Sequence, residues 1–416
     1  MPERLVSGTE LEALRTRVLR MQAAYLLDLE RLVNIDCGSY TKAGVDAVGR
    51  WTAEFLHDQL GAEVTIDPNA ELGDTVVGVI NGPGEGPTVL MIGHMDTVFD
   101  PGTAGARPFR VEDGIAYGPG VTDMKGGLLA GLYALRALMA DAEPGEPWLP
   151  VGRVVFIANP DEEIGSPVST PVIRSWASAS DVALVLECAR ANGDIVSSRK
   201  GTVDLELRIR GRAAHAGVEP EKGRSAILEA SHKIIALHAL TGAWPGTTVN
   251  VGVVQAGTRP NVVAEEALLR VDLRSITRAG MEHLETSLQA IAEVSVVPDV
   301  TCQVTETGRH WPMEKLERSG RLVEHAKEIA ESMGFQLKDT GTGGASDANT
   351  TSGMGVPSLD GLGPIGGHDH APGEYLELNS IVPRTTLLAG LVLAVGRDAQ
   401  VAEWRTRRLT RVRPTT

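Results

Sequence analysis

Aromatic side chains are scarce in this 416-residue chain, at 4%, although 42% of its residues are hydrophobic. The core therefore has to rest on Val, Leu, Ile and Ala. Cysteine is nearly absent. Cys37, Cys188 and Cys302 lie far apart and form no close pair, which excludes a disulfide framework and fits reduced thiols in a cytoplasmic protein. Basic residues are outnumbered, with 39 Lys and Arg against 54 Asp and Glu, for a formal net charge of −15. Phosphate backbones are bound by clustered Lys and Arg, so a nucleic-acid partner is not expected. The acidic balance says little about a small substrate, because an acidic surface can surround a locally positive pocket. No run approaches 18 consecutive apolar residues. The opening MPERLVSGTELEALRTRVLRM is polar and helical, without an apolar h-region. Neither a membrane span nor a signal peptide is expected.

The length allows roughly two or three domains at about 150 residues each. An N-terminal helix of about 25 residues is expected first. Apolar runs at 75–80, 88–92, 153–158 and 182–186 read as strands, and 127–140 reads as a helix between the second and third. Such alternation predicts a mostly parallel sheet covered by helices. PGEGP at 83–87 and EPGEP at 143–147 are turn signals.

After Lys200 the pattern changes. Residues 203–210 alternate apolar and charged, as a half-exposed antiparallel strand does. A helix at 221–240, strands near 247–256 and 265–274, a helix near 278–293 and a strand near 298–305 complete the order β-α-β-β-α-β, the ferredoxin-like split arrangement. Beyond Gly308 the earlier grammar resumes, with a helix at 315–333, a strand near 356–359 and a helix at 380–395. The expected architecture is α/β. A discontinuous catalytic domain, 1–199 with 309–416, carries an inserted α+β domain, 200–308, whose open face or edge suits an interface.

Potential metal ligands cluster at the ends of the apolar runs. His94 ends TVLMIGH, Asp123 sits in GPGVTDMKGG, Glu163 follows VVFIANPDE, and Glu187 closes DVALVLE. In open α/β sheets, the crevice beyond the carboxyl ends of the strands is where ligands bind. Acidic and imidazole groups delivered to one rim can share divalent ions, and four or five can share two, which points to a two-metal hydrolase. His94 and Asp96 stand two apart on one side of the chain, so Asp96 can take the second imidazole N–H of His94. Asp123 could bridge two cations with its two oxygens or simply cap a helix. The run from Gly118 lacks the third glycine of a dinucleotide fingerprint. In Asp161-Glu162-Glu163, one Glu can bind metal while its neighbour acts as a general base. A carboxylate as deep as Glu187 needs a metal or an Arg beside it. Spacing alone does not choose between His368 and His370.

Taken together, GHMDTV, GPGVTDMKGG, NPDEEIGS, GRAAHAG, the Asn-x-x-x-Glu-Glu stretch after Arg259, GGASDAN and HAPGEY resemble the dinuclear zinc peptidase family of glutamate carboxypeptidases, aminoacylases, acetylornithine deacetylase and succinyl-diaminopimelate desuccinylase. The resemblance covers nearly the whole chain, and the bacterial glutamate carboxypeptidase branch looks nearest. It implies two Zn2+ per chain, with Co2+ or Mn2+ as alternatives. His94 and Glu187 would hold one ion, Glu163 and His370 the other, and Asp123 both. His370 is preferred to His368 because the family's ligand precedes a Glu by four residues, as His370 precedes Glu374. Asp96 would orient His94, Glu162 would be the general base and acid, and the Asp123–Met124 peptide would be cis. His215 would act from the other subunit of a homodimer on the oxyanion. Asn261, Arg274 and Arg309 would hold the substrate carboxylate, a task suited to the Arg fork. Met124 stands where some relatives have a second acidic residue.

The resemblance implies hydrolysis of an N-acyl amino acid or small peptide with a free C-terminal carboxylate, with glutamate as the first candidate for the leaving residue. An aminopeptidase or dipeptidase of similar fold would instead need an acidic group for a free amine. A non-catalytic zinc-binding protein would lack the base, yet Glu162 is present.

Overall fold

Buried strands need continuous apolar runs, and the middle of this sheet is built from two of them. In a computed structural model, which describes residues 4–140 and 148–404, strand Thr88–His94 is buried along its full length, and Arg153–Asn159 is buried except at its first residue. These two strands pair in parallel. Val182–Val185 joins Thr88–His94 in parallel, and Ser358–Leu359 extends that side, also in parallel. The expectation of a mostly parallel sheet holds, with one addition. Thr75–Asn81 runs antiparallel to Arg153–Asn159 and pairs with Glu63–Asp67 to make an antiparallel flank. The turn signal at 143–147 lies outside the described residues.

The N-terminal helix runs Gly8–Val33, started by a capping box between Ser7 and Glu10. Its Leu11, Leu29 and Leu32 share one core with Leu128, Leu132 and Leu135 of helix Gly126–Met139 and with Leu387, Leu388 and Leu391 of helix Leu378–Arg397. This last helix is long and apolar enough to cross a membrane, but 78% of its apolar window is buried inside the protein. It is a core helix, and it carries the fully buried Arg384. That guanidinium donates to the carbonyls of Gly361, Gly363 and Gly193, which supplies the partners a buried charge requires. Cys37, Cys188 and Cys302 are free.

The chain divides into two compact units: residues 1–197, 315–341 and 346–416 form the first, and residues 198–314 with 342–345 form the second. The second unit is a four-stranded antiparallel sheet in the order Thr248–Ala256, Glu266–Ser275, Gly201–Arg210, Thr301–His310. Helices Ala226–His238 and Arg278–Glu293 pack on it over a separate core that includes Leu207, Leu269, Leu273, Met281 and Leu284. The β-α-β-β-α-β order is as read from the sequence, with shifted boundaries. The first helix starts at Ala226 because Ser225 caps it, its Oγ accepting from Leu228 N at 3.1 Å. The last strand continues to His310 through a bulge between Glu306 and Gly308.

A buried carboxylate ties the end of helix Leu378–Arg397 to helix Glu317–Ser332. Asp398 receives Arg321 Nη2 at 2.8 Å and faces His325 Nε2 at 2.8 Å. Burial raises the Asp398 carboxyl, but Arg321 and His325 outweigh it and hold the group near 2, below its ordinary 3.8. A depressed carboxyl stabilises the fold above its unfolded value and loses that contribution as acid protonates it. Asp398→Asn should therefore destabilise the protein at pH 7 by about 3 kcal/mol. It should also flatten the loss of stability between pH 4 and pH 2. Urea denaturation over a pH series checks both, and a variant with the wild-type acid slope refutes the assignment.

Candidate metal centre

Three strand ends and two loops of the first unit deliver the side chains. His94 is the last residue of Thr88–His94, Glu187 follows Val182–Val185, and Glu162 and Glu163 lie in the short turn after Arg153–Asn159. A small antiparallel sheet supplies the rest. Gly366–Gly367 and Tyr375–Glu377 form a hairpin whose loop, 368–374, carries His370. Tyr375 pairs with Tyr117, from which the chain runs through Gly120 (φ 72) into Asp123. Only glycine adopts such a backbone without strain.

The six groups converge. His94 Nε2 lies 3.1 Å from Asp123 Oδ1 and 3.7 Å from Glu187 Oε1. His370 Nε2 lies 3.1 Å from Asp123 Oδ2 and 3.0 Å from Glu163 Oε2. Asp123 thus turns one oxygen to each imidazole. The ligating atoms of His94, Glu162 and Glu187 lie within 4.8 Å of one another, as do those of His94, Asp123 and Glu163. His368 points to another task, its ring standing edge-on to Tyr375 at 5.5 Å. The Asp123–Met124 peptide is cis.

Asp96 behaves differently in detail from the expectation. His94 Nδ1 is closest to the Asp96 backbone carbonyl, at 3.0 Å, with the Asp96 carboxylate at 3.4 Å. That carboxylate accepts instead from the backbone N–H groups of Glu162 and Glu163, at 3.1 and 3.2 Å, and from Ser39 Oγ at 2.6 Å. It fixes the turn that presents both glutamates as well as the histidine. Of the acidic triplet, Asp161 is turned inward, accepting from Val168 N at 2.6 Å and Ser169 Oγ at 2.5 Å.

Sequence reasoning left GGASDAN without a role. Its Asp347 is buried and accepts from Ser166 Oγ at 2.7 Å and Asn159 Nδ2 at 2.9 Å. It therefore holds the far end of the glutamate turn, where Ser166 is left-handed at φ 55. Burial raises the Asp347 carboxyl to about 6. Ser39, in CGSY, carried no signal in the sequence.

The donor set fits divalent cations. Four carboxylates this close repel one another, and burial adds a desolvation cost that only positive charge relieves. The two imidazoles register this demand. Burial lowers His94, but Asp123 and Asp96 more than reverse it and carry the group well above its usual value. Hydrogen bonds to Asp123 and Glu163 lift His370 to about 11. Burial alone would raise Asp123, yet His370 and His94 hold it below the carboxylate range. Burial, then the neighbouring Glu187 charge, pushes Glu162 well above its ordinary value. Carboxylate and imidazole ligands suit zinc and its neighbours, and such ions bind neutral imidazole in exchange for protons.

The remaining expected residues belong to the second unit. His215 is exposed, and its Nδ1 accepts from Gly217 N at 3.2 Å, which leaves Nε2–H as the donor of the neutral ring. The segment bearing Asn261 is zipped to it through Ala216 N to Asn261 O and Val263 N to Ala214 O, both 3.0 Å. Arg274 Nε pairs with Asp272 at 2.9 Å, and its Nη1 donates to Gly343 O at 2.8 Å. Arg309 is more fully committed. Nε and Nη2 grip Glu306 at 2.9 and 2.6 Å, Nη1 reaches Glu285 at 2.7 Å, and the guanidinium lies over Trp311. A substrate carboxylate would have to displace those partners.

The chain matches the family model described as Peptidase family M20/M25/M40 over residues 90–394. It is 31% identical over 404 residues to carboxypeptidase G2 of Pseudomonas sp. (strain RS-16), covering 94% of this chain and 95% of that protein. It is 26% identical over 313 residues to succinyl-diaminopimelate desuccinylase of Dechloromonas aromatica (strain RCB), covering 71% and 80%. In fold it is similar to aminopeptidase PepT from Bacillus cereus ATCC 10987, with a TM-score of 0.76 at 24% identity over 90% of this chain and 98% of that one. The M20 family metallo-carboxypeptidase Sso-CP2 from Sulfolobus solfataricus gives a TM-score of 0.67 at 16% identity, over 89% and 99%.

Glu187 owes its position to a close approach of helix Gly126–Met139. A Cβ on Gly127 would collide with the Leu186 carbonyl. Gly127→Ala should lower stability by about 1–3 kcal/mol. It should also reduce metal retention by displacing Glu187. Thermal denaturation and elemental analysis test this, and an unchanged melting point with full metal content refutes it.

Proposed function

The chain belongs to the peptidase family M20/M25/M40, and on that premise we propose that it hydrolyses the amide bond of an N-acyl amino acid or small peptide ending in a free carboxylate, with glutamate as the preferred leaving residue. That it is a metal-dependent amide hydrolase follows from the family and from relatives such as carboxypeptidase G2. The finer reading has two Zn2+ ions per chain, with Co2+ or Mn2+ able to replace them. His94 and Glu187 would hold one ion, Glu163 and His370 the other, and Asp123 would serve both. The observation that carries it is the division of the Asp123 carboxylate between His94 and His370, one oxygen to each at 3.1 Å.

When bound, the ions supply an acidified water and a polarised substrate carbonyl. The chain's own residues do the proton work. Glu162 takes the proton of the attacking water and delivers it to the leaving amine. A carboxylate beside the attacking water can accept the proton in one step and return it in the next. Asp96 holds the Glu162 and Glu163 amides in place while its backbone carbonyl orients His94. His215 presents Nε2–H to the developing oxyanion, acting across a homodimer formed through the inserted unit. Arg274 and Asn261 recognise the substrate carboxylate.

Glu162→Gln should retain two metal ions per chain and the wild-type fold while losing about a hundred- to ten-thousand-fold in turnover. Mixing it with inactive His215→Ala subunits should restore part of the activity, because a mixed dimer contains one intact composite site. More than about a tenth of wild-type turnover in Glu162→Gln at full metal occupancy would move the base elsewhere. No recovery despite demonstrated subunit exchange would exclude action in trans.

A second reading, as an aminopeptidase, is separated by substrate polarity. Amidating the C-terminus of the substrate should cost wild type about one to two decades in kcat/KM, the value of a charge-assisted contact. The same change should hardly affect Arg274→Ala, whose contact is already gone. Equal cleavage of the acid and the amide by wild type would favour the aminopeptidase.

A further inference from the structure

Asp123 and His370 come from distant parts of the chain, and one buried carboxylate spans their two loops. Glu374 is 1% exposed. Its Oε2 accepts from Gly120 N at 2.8 Å, and its Oε1 accepts from Thr122 N at 2.9 Å and Asp123 N at 3.0 Å. Three backbone donors of the Asp123 loop therefore end on a side chain of the His370 loop. That second loop is folded on itself, with Ala371 N donating to His368 O at 3.0 Å and Glu374 N to Ala371 O at 3.1 Å. Its backbone is left-handed at His368 (φ 58) and His370 (φ 63), a conformation that non-glycine residues keep only where their surroundings enforce it.

Burying a carboxylate is costly, and here burial raises the group to about 7 against the three amide bonds. A fold that needed only to fill this space would use an apolar side chain. What a carboxylate adds is directional: two oxygens meet three N–H groups at fixed angles, so the loops can neither slide nor separate without stranding buried donors. The small sheet sets the same two loops side by side through Tyr117 and Tyr375, and Glu374 closes the gap between that pairing and the metal ligands.

We propose that Glu374 is a positioning residue for the metal centre: by clamping residues 120–123 to the loop 368–374, it sets the separation of Asp123 and His370 and hence the affinity for the ion they share. The inference rests on the metal assignment under Proposed function.

The test uses zinc-loaded full-length enzyme. Wild type, Glu374→Gln and Glu374→Ala are dialysed against graded concentrations of a zinc chelator, and retained zinc is measured together with melting temperature at matched occupancy. Glu374→Ala removes both acceptor oxygens, and with them all three hydrogen bonds, and should weaken zinc retention about 10- to 100-fold, the usual effect of losing a partner behind a ligand. Glu374→Gln keeps an oxygen for Thr122 and Asp123 but sets an amide NH2 against Gly120 N–H. It should show a smaller loss, and it carries the test if the alanine variant does not fold. A variant that melts lower yet retains zinc like wild type has lost only packing, and overturns the proposal. Wild type that holds no zinc overturns both this inference and the proposed function. Wild type that holds zinc alongside unaffected variants overturns the clamp alone.

Discussion

Mutual repulsion among Asp123, Glu162, Glu163 and Glu187 is the constraint to which the rest of the first unit answers. Like charges gathered in a partly desolvated space can coexist only with cations between them or protons upon them. His94 and His370 meet part of that demand, which is why both imidazoles are held above their usual range. The scaffold supplies the restraint. Asp96 and Asp347 grip the glutamate turn at its two ends, and Arg384 anchors the 361–363 loop, whose Gly363 N donates to Glu187 O at 2.8 Å. The polar residues around the centre keep a set of repelling groups from relaxing outward.

The two units do different kinds of work with similar residue types. In the first, buried carboxylates hold backbone amides and so fix ligand geometry. In the second, the expected substrate-binding arginines are held by half-buried and exposed carboxylates. Arg309 is saturated by Glu285 and Glu306, whereas Arg274 pairs with one aspartate and one carbonyl. That contrast separates an arginine committed to the insert's own architecture from one with fewer partners on its fork. A basic position in the sequence cannot be sorted this way until its neighbours are known.

Much of the fold was legible because burial leaves a periodic trace. The apolar runs ending at His94 and Glu187 announced strands and their ligands together, and the alternation in Gly201–Arg210 announced a half-exposed antiparallel strand. The direction of Thr75–Asn81 was not legible, since an apolar strand reads alike in either sense. Nor was the helix Lys42–Glu54, where two glycines and β-branched residues blur the helical period. Within the site, the side chains that converge could be named, but most of their supports could not. Ser39, Asp347 and Glu374 act through hydrogen bonds to residues 57, 181 to 188 and 251 to 254 positions away, and contacts of that kind leave no local pattern. Asp96 was identified for its neighbour in sequence, while its main partners lie in a turn that only folding brings close.

The hairpin that carries His370 has a temporal consequence. His370 follows His94 by 276 positions (370 − 94), and the whole inserted unit is threaded between them. During synthesis, therefore, a ribosome-bound chain can expose His94, Asp123, Glu163 and Glu187 long before the last imidazole emerges. Until then it offers an acidic, incompletely caged cluster that any abundant divalent ion can visit. The set of converging side chains is therefore completed only when the hairpin bearing His370 docks.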